Sequence, residues 1–183
     1  MEQVQKDPIE VILAVYQNHE SAKASLDTLK DAEKKKDLDV VGLKKVLTRW
    51  QKGLENDGWN ALFIENHDKP RVVSTWGNDQ EFWRESATSM AAMYFLMQGT
   101  PFIYQGQEIG MTNVQFPSIE DYDDVAVKNM YLSKIEQGIP HGEIMEIIWA
   151  SSRDNSRTPM QWSIAENAGF TSGTPWMKVN SNY

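Results

Sequence analysis

The spacing of apolar residues changes period at Trp59. Before it, Leu43, Val46, Leu47, Trp50 and Leu54 fall on one stripe at helical spacing, so a helix is predicted over residues 41–55, with Gly58 closing it. The segment 1–36 reads as helical and highly charged: Asp7 is placed to cap, Pro8 suits a first turn, and Ile12, Val15, Tyr16, Ala22, Leu26 and Leu29 keep helical spacing. Its end, 31–36, reads as a solvated face or linker.

From Trp59 the pattern is a short apolar run without helical spacing, as in a buried strand, predicted over 59–65. The run ends in the polar cluster Glu65-Asn66-His67-Asp68-Lys69-Pro70. A helix is predicted over 82–98, with Ala87, Met90, Ala91, Tyr94, Phe95 and Met97 as its apolar side. Gly99-Thr100-Pro101 breaks it, and a second strand is predicted over 102–105, running into Gly106-Gln107-Glu108-Ile109-Gly110. Residues 113–150 read as helical and acidic, and 151–183 as loop-rich. Strand, polar loop, helix, tight turn, strand is the βαβ pattern of a parallel sheet, so the fold class is α/β. No internal repeat is present.

Composition narrows the classes of function. With 183 residues, 40% hydrophobic and 24% charged, the chain has the make-up of an ordinary globular protein. The absence of cysteine excludes a disulfide framework and a thiol nucleophile, and fits a reducing cytoplasm. A net charge of −8 with no basic stripe argues against nucleic acid and favours a neutral ligand. The apolar run Val11-Ile12-Leu13-Ala14-Val15-Tyr16 is far shorter than the roughly 20 residues of a membrane span, and it lacks the basic flank of a signal peptide. The 7 tryptophans fit core packing, or flat faces on which sugar rings stack. His19, His67 and His141 have no partner at metal-ligand spacing, so no metal site and no cofactor are expected.

Asn66-His67-Asp68 sits where catalytic groups gather in parallel α/β folds, at the C-terminal end of a strand. The residues alone admit two readings: a catalytic acid with its neighbours, or a turn in which Asp68 caps and His67 fills a polar pocket.

Three longer motifs carry a family resemblance. Phe63-Ile64-Glu65-Asn66-His67-Asp68-Lys69-Pro70-Arg71 resembles the strand-seven segment of glycoside hydrolase family 13, the α-amylase superfamily. Gly99-Thr100-Pro101-Phe102-Ile103-Tyr104-Gln105-Gly106-Gln107-Glu108-Ile109-Gly110-Met111-Thr112-Asn113 is similar to its strand-eight signature. Arg153-Asp154-Asn155-Ser156-Arg157-Thr158-Pro159-Met160-Gln161-Trp162 is similar to a later block of its oligosaccharide-cleaving members. The resemblance covers about residues 38–183. It divides the chain into a charged helical segment, 1–36, and a barrel-derived part, 37–183.

The resemblance implies part of a (β/α)8 TIM barrel, strands seven and eight with their helices and loops. It implies that Asp68 is the family's third carboxylate, neither nucleophile nor proton donor, steadying positive charge at the anomeric carbon. His67 would bond a sugar hydroxyl in the same subsite, and Asn66 would belong to the same substrate-binding turn. Arg71 is expected near that subsite, orienting Asp68 or Glu65, or else in a structural ion pair. Glu108 falls at a position that is structural in the family, and Glu65 is a variable neighbour of the motif. Arg157, Gln161 and Trp162 either shape the barrel mouth or pack.

A retaining glycosidase needs a nucleophile and an acid/base with carboxyls about 5–5.5 Å apart. In the family these follow strands four and five, and no match to either segment precedes Trp59. The implied function is therefore part of a retaining α-glucosidase of the oligo-1,6-glucosidase, exo-α-1,4-glucosidase or trehalose-6-phosphate hydrolase type, cytoplasmic and acting on short oligosaccharides. The 183 residues alone are expected to be inactive and to self-associate through exposed barrel edges. A non-catalytic carbohydrate-binding remnant and a helical interaction protein are the alternative readings.

Overall fold

The computed structural model describes residues 38–183, and the helical reading of 1–36 lies outside the described residues. The first element, α1 (Val40–Gly53), starts where the Asp39 carboxylate accepts the Gly42 N–H at 2.8 Å. It is tied to a distant turn by a reciprocal amide pair, in which Gln51 Nε2 donates to Gln98 O at 2.9 Å and Gln98 N donates to Gln51 Oε1 at 2.8 Å.

Two strands follow the expected parallel arrangement but not the expected bounds. β1 (Ala61–Leu62) pairs in parallel with β2 (Thr100–Pro101), Ala61 opposite Thr100 and Leu62 opposite Pro101. The run predicted over 59–65 is thus strand only at its centre. The strand predicted over 102–105 is displaced toward the N-terminus, onto residues read as a helix breaker. Backbone pairing explains the shift. Thr100 N donates to Asn60 O at 2.8 Å and Phe102 N to Leu62 O at 2.7 Å, so the proline between them faces away from β1, where its missing N–H is not needed. Beyond Phe102 the chain turns at Tyr104–Gln107 and no partner strand continues the ladder among the described residues.

Two helices connect the strands rather than one. α2 (Val72–Trp76) was not foreseen, and α3 (Trp83–Phe95) is shorter at both ends than the 82–98 prediction. α2 has only 5 residues and opens on two β-branched valines, so local propensity gives little sign of it. Asn78 makes the turn between them, its Oδ1 accepting from Gln80 N at 2.9 Å.

The reading of 113–150 as helical throughout is corrected in the same way. Residues 113–118 are extended loop, a short 3₁₀ turn spans Ile119–Asp121, and the helices are α4 (Val125–Glu136) and α5 (His141–Ser151). Pro117 and Pro140 mark the breaks, each restricting the residue before it to extended backbone. The core lies here. Val114, Phe116, Tyr122, Val127, Ile144, Met145, Ile148 and Met177 form one buried cluster, with the Phe116 and Tyr122 rings edge-on at 5.5 Å. Each such side chain removed from water contributes about 1.5–3 kcal/mol. Around the strands the picture reverses: Trp59, Phe63, Phe95, Leu96, Phe102 and Ile103 are exposed. No helix among the described residues is long and apolar enough to cross a membrane.

The loop–helix core is pinned by Asn155, which is fully buried. Its Oδ1 accepts the Val114 N–H at 2.9 Å and its Nδ2 donates to Trp149 O at 3.0 Å. Trp149 O keeps a second donor in Asn113, but the Val114 N–H loses its acceptor, so Asn155→Ala is expected to destabilise by about 2–3 kcal/mol. The readout is a thermal midpoint lower by roughly 5–10 °C. An unchanged midpoint would show that water replaces the amide at no cost.

Candidate active site

The chain leaves β1 and folds into a tight turn at Asn66-His67-Asp68. The Asn66 side chain makes that turn, accepting the Asp68 N–H at 2.9 Å on its Oδ1. His67 and Asp68 are then presented on the surface, with side chains 69% and 44% exposed, and His67 Nε2 lies 3.2 Å from Asp68 Oδ2. The turn brings together three of the residues picked out from sequence.

Arg71 is placed differently. Its side chain has no exposed surface, and its Nη1 donates to Glu65 Oε2 at 3.2 Å and to the Gln105 carbonyl at 2.8 Å. The guanidinium also lies 5.2 Å from the centre of the Tyr104 ring. Of the two carboxylates it was expected to orient, it pairs with Glu65. Glu65 in turn accepts the Val72 N–H at 2.7 Å, which satisfies a free donor at the start of α2. Burial pushes the Glu65 carboxyl above its ordinary value, against the opposing pull of Arg71 and the Val72 N–H. Gly106 lies beside this pair: at φ 86° it takes a left-handed turn, and a Cβ there would collide with Met111 Sδ and crowd Arg71 Nη2 at 3.1 Å.

The groups that do reach Asp68 come from 85 and more residues downstream. A 3₁₀ turn, Arg153–Ser156, is capped by Ser152, whose Oγ accepts the Asp154 N–H at 3.1 Å. The turn is docked under the candidate site by Ser156 Oγ donating to Lys69 O and by Tyr104 OH donating to Ser156 O at 2.8 Å. Arg157 Nη2 then meets Asp68 Oδ1 at 2.9 Å, and its Nε donates to the His67 carbonyl at 2.9 Å. Arg153 Nη1 approaches the same Asp68 oxygen at 3.6 Å. Its other edge is clasped by Asp124, Nε to Oδ2 at 2.7 Å and Nη2 to Oδ1 at 2.8 Å, a bidentate pair.

Behind these lies Asp154, buried, with Oδ2 accepting the N–H groups of Asp123 at 2.8 Å and Asp124 at 2.9 Å. Asp68, Asp124 and Asp154 thus face Arg153 and Arg157, leaving the cluster negative. Asp68 has one oxygen held by arginine and the other beside His67 at the surface. A fixed carboxylate of this kind can accept hydroxyls of a neutral ligand and stabilise positive charge that develops next to it.

The sequence left Arg157 either shaping the mouth or packing, with no partner assigned, and did not single out Arg153, Asp124 or Asp154. The signal was the spacing of Arg153 and Arg157 in one polar block, but only folding shows what they face. The remaining candidates sit apart. Glu108 is exposed on a 3₁₀ turn, Gln107–Ile109, and Gln161 bonds Asn182 at 3.1 Å. Trp162 is exposed, as is Trp176, whose Nε1 donates to the Arg157 carbonyl at 3.1 Å. His141 contacts Tyr131 and the Pro117 carbonyl, and no group of metal-ligating side chains occurs among the described residues.

The family described as "Alpha amylase, catalytic domain" matches residues 2–183. The chain belongs to the α-amylase catalytic-domain family. That membership supports a (β/α)8 barrel as the parent fold of this α/β chain. Among curated relatives, the probable oligo-1,6-glucosidase 3 of Bacillus subtilis (strain 168) is 58% identical over 153 residues, covering 84% of this chain and 28% of the relative. The trehalose-6-phosphate hydrolase of the same organism is 51% identical over 146 residues, covering 79% of this chain and 26% of that protein. The crystal structure of Bacillus licheniformis trehalose-6-phosphate hydrolase superposes with a TM-score of 0.78 at 52% identity, covering 80% of this chain and 27% of that one. An isomaltulose synthase from Erwinia rhapontici NX5, solved with D-glucose, gives 0.72 at 45% identity over 80% of this chain and 27% of its own. The chain thus spans about a quarter of the length of the relatives it matches.

The Arg153–Asp124 contact also responds to acid. The Arg153 hydrogen bonds, helped by the Ala126 N–H, hold the Asp124 carboxyl below its ordinary value of 3.8, against the effect of burial. A folded value below the unfolded one stabilises above the unfolded value, and the contribution is lost as pH falls through the folded value. Asp124→Asn keeps an oxygen to cap α4 but removes this term. Urea unfolding between about pH 2 and pH 7 is expected to show a constant gap between the two proteins above about pH 5 that closes below 3.8. A gap that widens on acidification would contradict the assignment.

Proposed function

We propose that residues 37–183 are the C-terminal part of the catalytic barrel of a retaining α-glucosidase, contributing strands seven and eight and their loops. The reading is supported most directly by Asp68, a carboxylate at the end of β1 with one oxygen held by Arg157 at 2.9 Å and the other next to His67. It is further supported by relatives named as oligo-1,6-glucosidases and a trehalose-6-phosphate hydrolase. The substrate class is then short oligosaccharides or other α-glucosides cleaved at a terminal α-glucosidic bond.

In this mechanism Asp68 transfers no proton and forms no bond. Its charge is set in place before the reaction, so it needs no reorganisation when the anomeric carbon becomes oxocarbenium-like. His67, largely exposed beside it, donates to or accepts from a sugar hydroxyl in the same subsite. Asn66 acts by holding the turn. Arg71, buried, acts on the subsite only through Glu65 and the backbone it braces. By the family resemblance the nucleophile and the acid/base follow strands four and five, segments with no match before Trp59, and the 183 residues alone are inactive. Phe63 and Phe102, 42% and 56% exposed, directly follow β1 and β2, whose outer edges are unpaired among the described residues, and through this surface isolated chains self-associate.

The test grafts residues 59–183 in place of the matching segment of the 58%-identical Bacillus subtilis relative. The graft is expected to hydrolyse an aryl α-glucoside, and Asp68→Asn to lower kcat/KM by about 10²–10³ with little change in ground-state binding. The 183-residue chain is expected to show only the buffer rate. An Asp68→Asn graft with near-normal kcat leaves the turn-capping role alone. Sedimentation velocity of the 183-residue chain at several concentrations is expected to show association, and a concentration-independent monomer removes the edge-pairing proposal.

A further inference from the structure

Two arginines converge on Asp68, yet only one of them bonds it. Arg157 is at 2.9 Å from Asp68 Oδ1, whereas Arg153 stops at 3.6 Å because its Nε and Nη2 are engaged by Asp124 at 2.7 and 2.8 Å. Asp124 cannot follow Arg153 toward Asp68. It is buried at the N-terminus of α4, with its backbone N–H fixed by Asp154 at 2.9 Å and its Oδ1 also accepting Ala126 N–H at 2.9 Å.

We infer that Asp124 is a positioning residue that restrains Arg153, so that arginine bonds only one oxygen of Asp68 and the other, beside His67, stays open to substrate. This rests on the α-glucosidase reading above and adds to it a group that touches no substrate. The physical reason is charge balance. A carboxylate that stabilises an oxocarbenium must not itself be neutralised by two guanidinium groups, since each arginine drawn into contact lowers the negative potential that the transition state uses. Yet the site also needs rigidity, and arginine provides it. Clasping the second arginine from behind keeps its packing while cancelling its charge.

The variants separate restraint from plain support. Asp124→Asn retains the cap on Ala126 and the Asp154 contact, but frees Arg153 to close on Asp68. In the graft, kcat is expected to fall about 10–100-fold, the range for partners that orient a directly acting group, with KM changed by less than about 3-fold. Adding Arg153→Gln is expected to recover most of that loss, because the freed cation is what does the harm. A merely structural Asp124 predicts the opposite, a double variant as slow as the single one or slower. Lys178→Ala, which breaks an exposed 2.6 Å pair with Asp121 on the neighbouring turn, is the control and is expected to change neither constant.

A second readout needs no turnover. In the ¹⁵N spectrum of the 183-residue chain, Asp68→Asn is expected to move the Arg153 Nε–H signal several-fold more in the Asp124→Asn background than in the parent. If the graft is inactive but the signal behaves this way, the α-glucosidase reading fails and the restraint stands. If the graft is active and either the double variant is not rescued or the signal moves equally in both backgrounds, the restraint is overturned.

Discussion

The buried ion pair between Arg71 and Glu65 constrains everything around the site. A charge removed from water costs several kcal/mol unless it is partnered, and of this pair's charged atoms only Arg71 Nε has no hydrogen-bond partner among the described residues. The partners come from separate parts of the chain: the Val72 N–H at the start of α2, the Gln105 carbonyl after β2, and the Tyr104 ring. The Arg71 backbone N–H is taken by Asn113 Oδ1 at 2.9 Å, which in turn reaches Trp149 O through its Nδ2 at 3.1 Å. One buried pair thereby locks the end of β1, the start of α2, the turn after β2 and α5 into a single arrangement. The turn at Asn66-His67-Asp68 lies between the two charged partners in sequence, so its position is set by them.

On that foundation the surface site is held by the opposite device, a partly exposed network with excess negative charge. Arg157 reaches from a 3₁₀ turn to both the Asp68 carboxylate and the His67 carbonyl, so one side chain fixes the orientation of the turn and of its acid. Asp154, buried beneath, uses its charge on two backbone N–H groups rather than on an arginine, with Arg157 Nη1 no nearer than 4.0 Å. The division of labour follows from dielectric. Buried carboxylates are matched to fixed donors, and the half-exposed one retains a face for something that arrives from solvent.

The contrast between two regions of apolar surface has a simple origin. Under α4 and α5 the chain closes on itself, and eight side chains are buried in one cluster. Around β1 and β2 there are only two strands, too few to bury both faces of a sheet, and large residues such as Trp59 and Phe102 remain exposed. Family membership together with coverage of about a quarter of the relatives fits this, since a closed barrel supplies further strands against which such residues pack.

The parallel βαβ pattern, the family and the turn that carries Asp68 were legible along the chain. All of these depend on local periodicity or on contiguous motifs, which are written along the chain. The sequence did not determine the exact strand residues, because β2 is defined by which N–H groups face β1, and Thr100 and Phe102 rather than 102–105 are in that position. Nor did it reveal α2, whose first donor is satisfied by Glu65, seven residues upstream. Tertiary structure alone decided that Arg71 turns inward to Glu65, and that Arg153 and Arg157, with Asp124 and Asp154 behind them, surround Asp68. Ion pairs between residues 29 to 89 positions apart leave no periodic trace, and an arginine's spacing does not say which carboxylate the fold will bring within 3 Å of it.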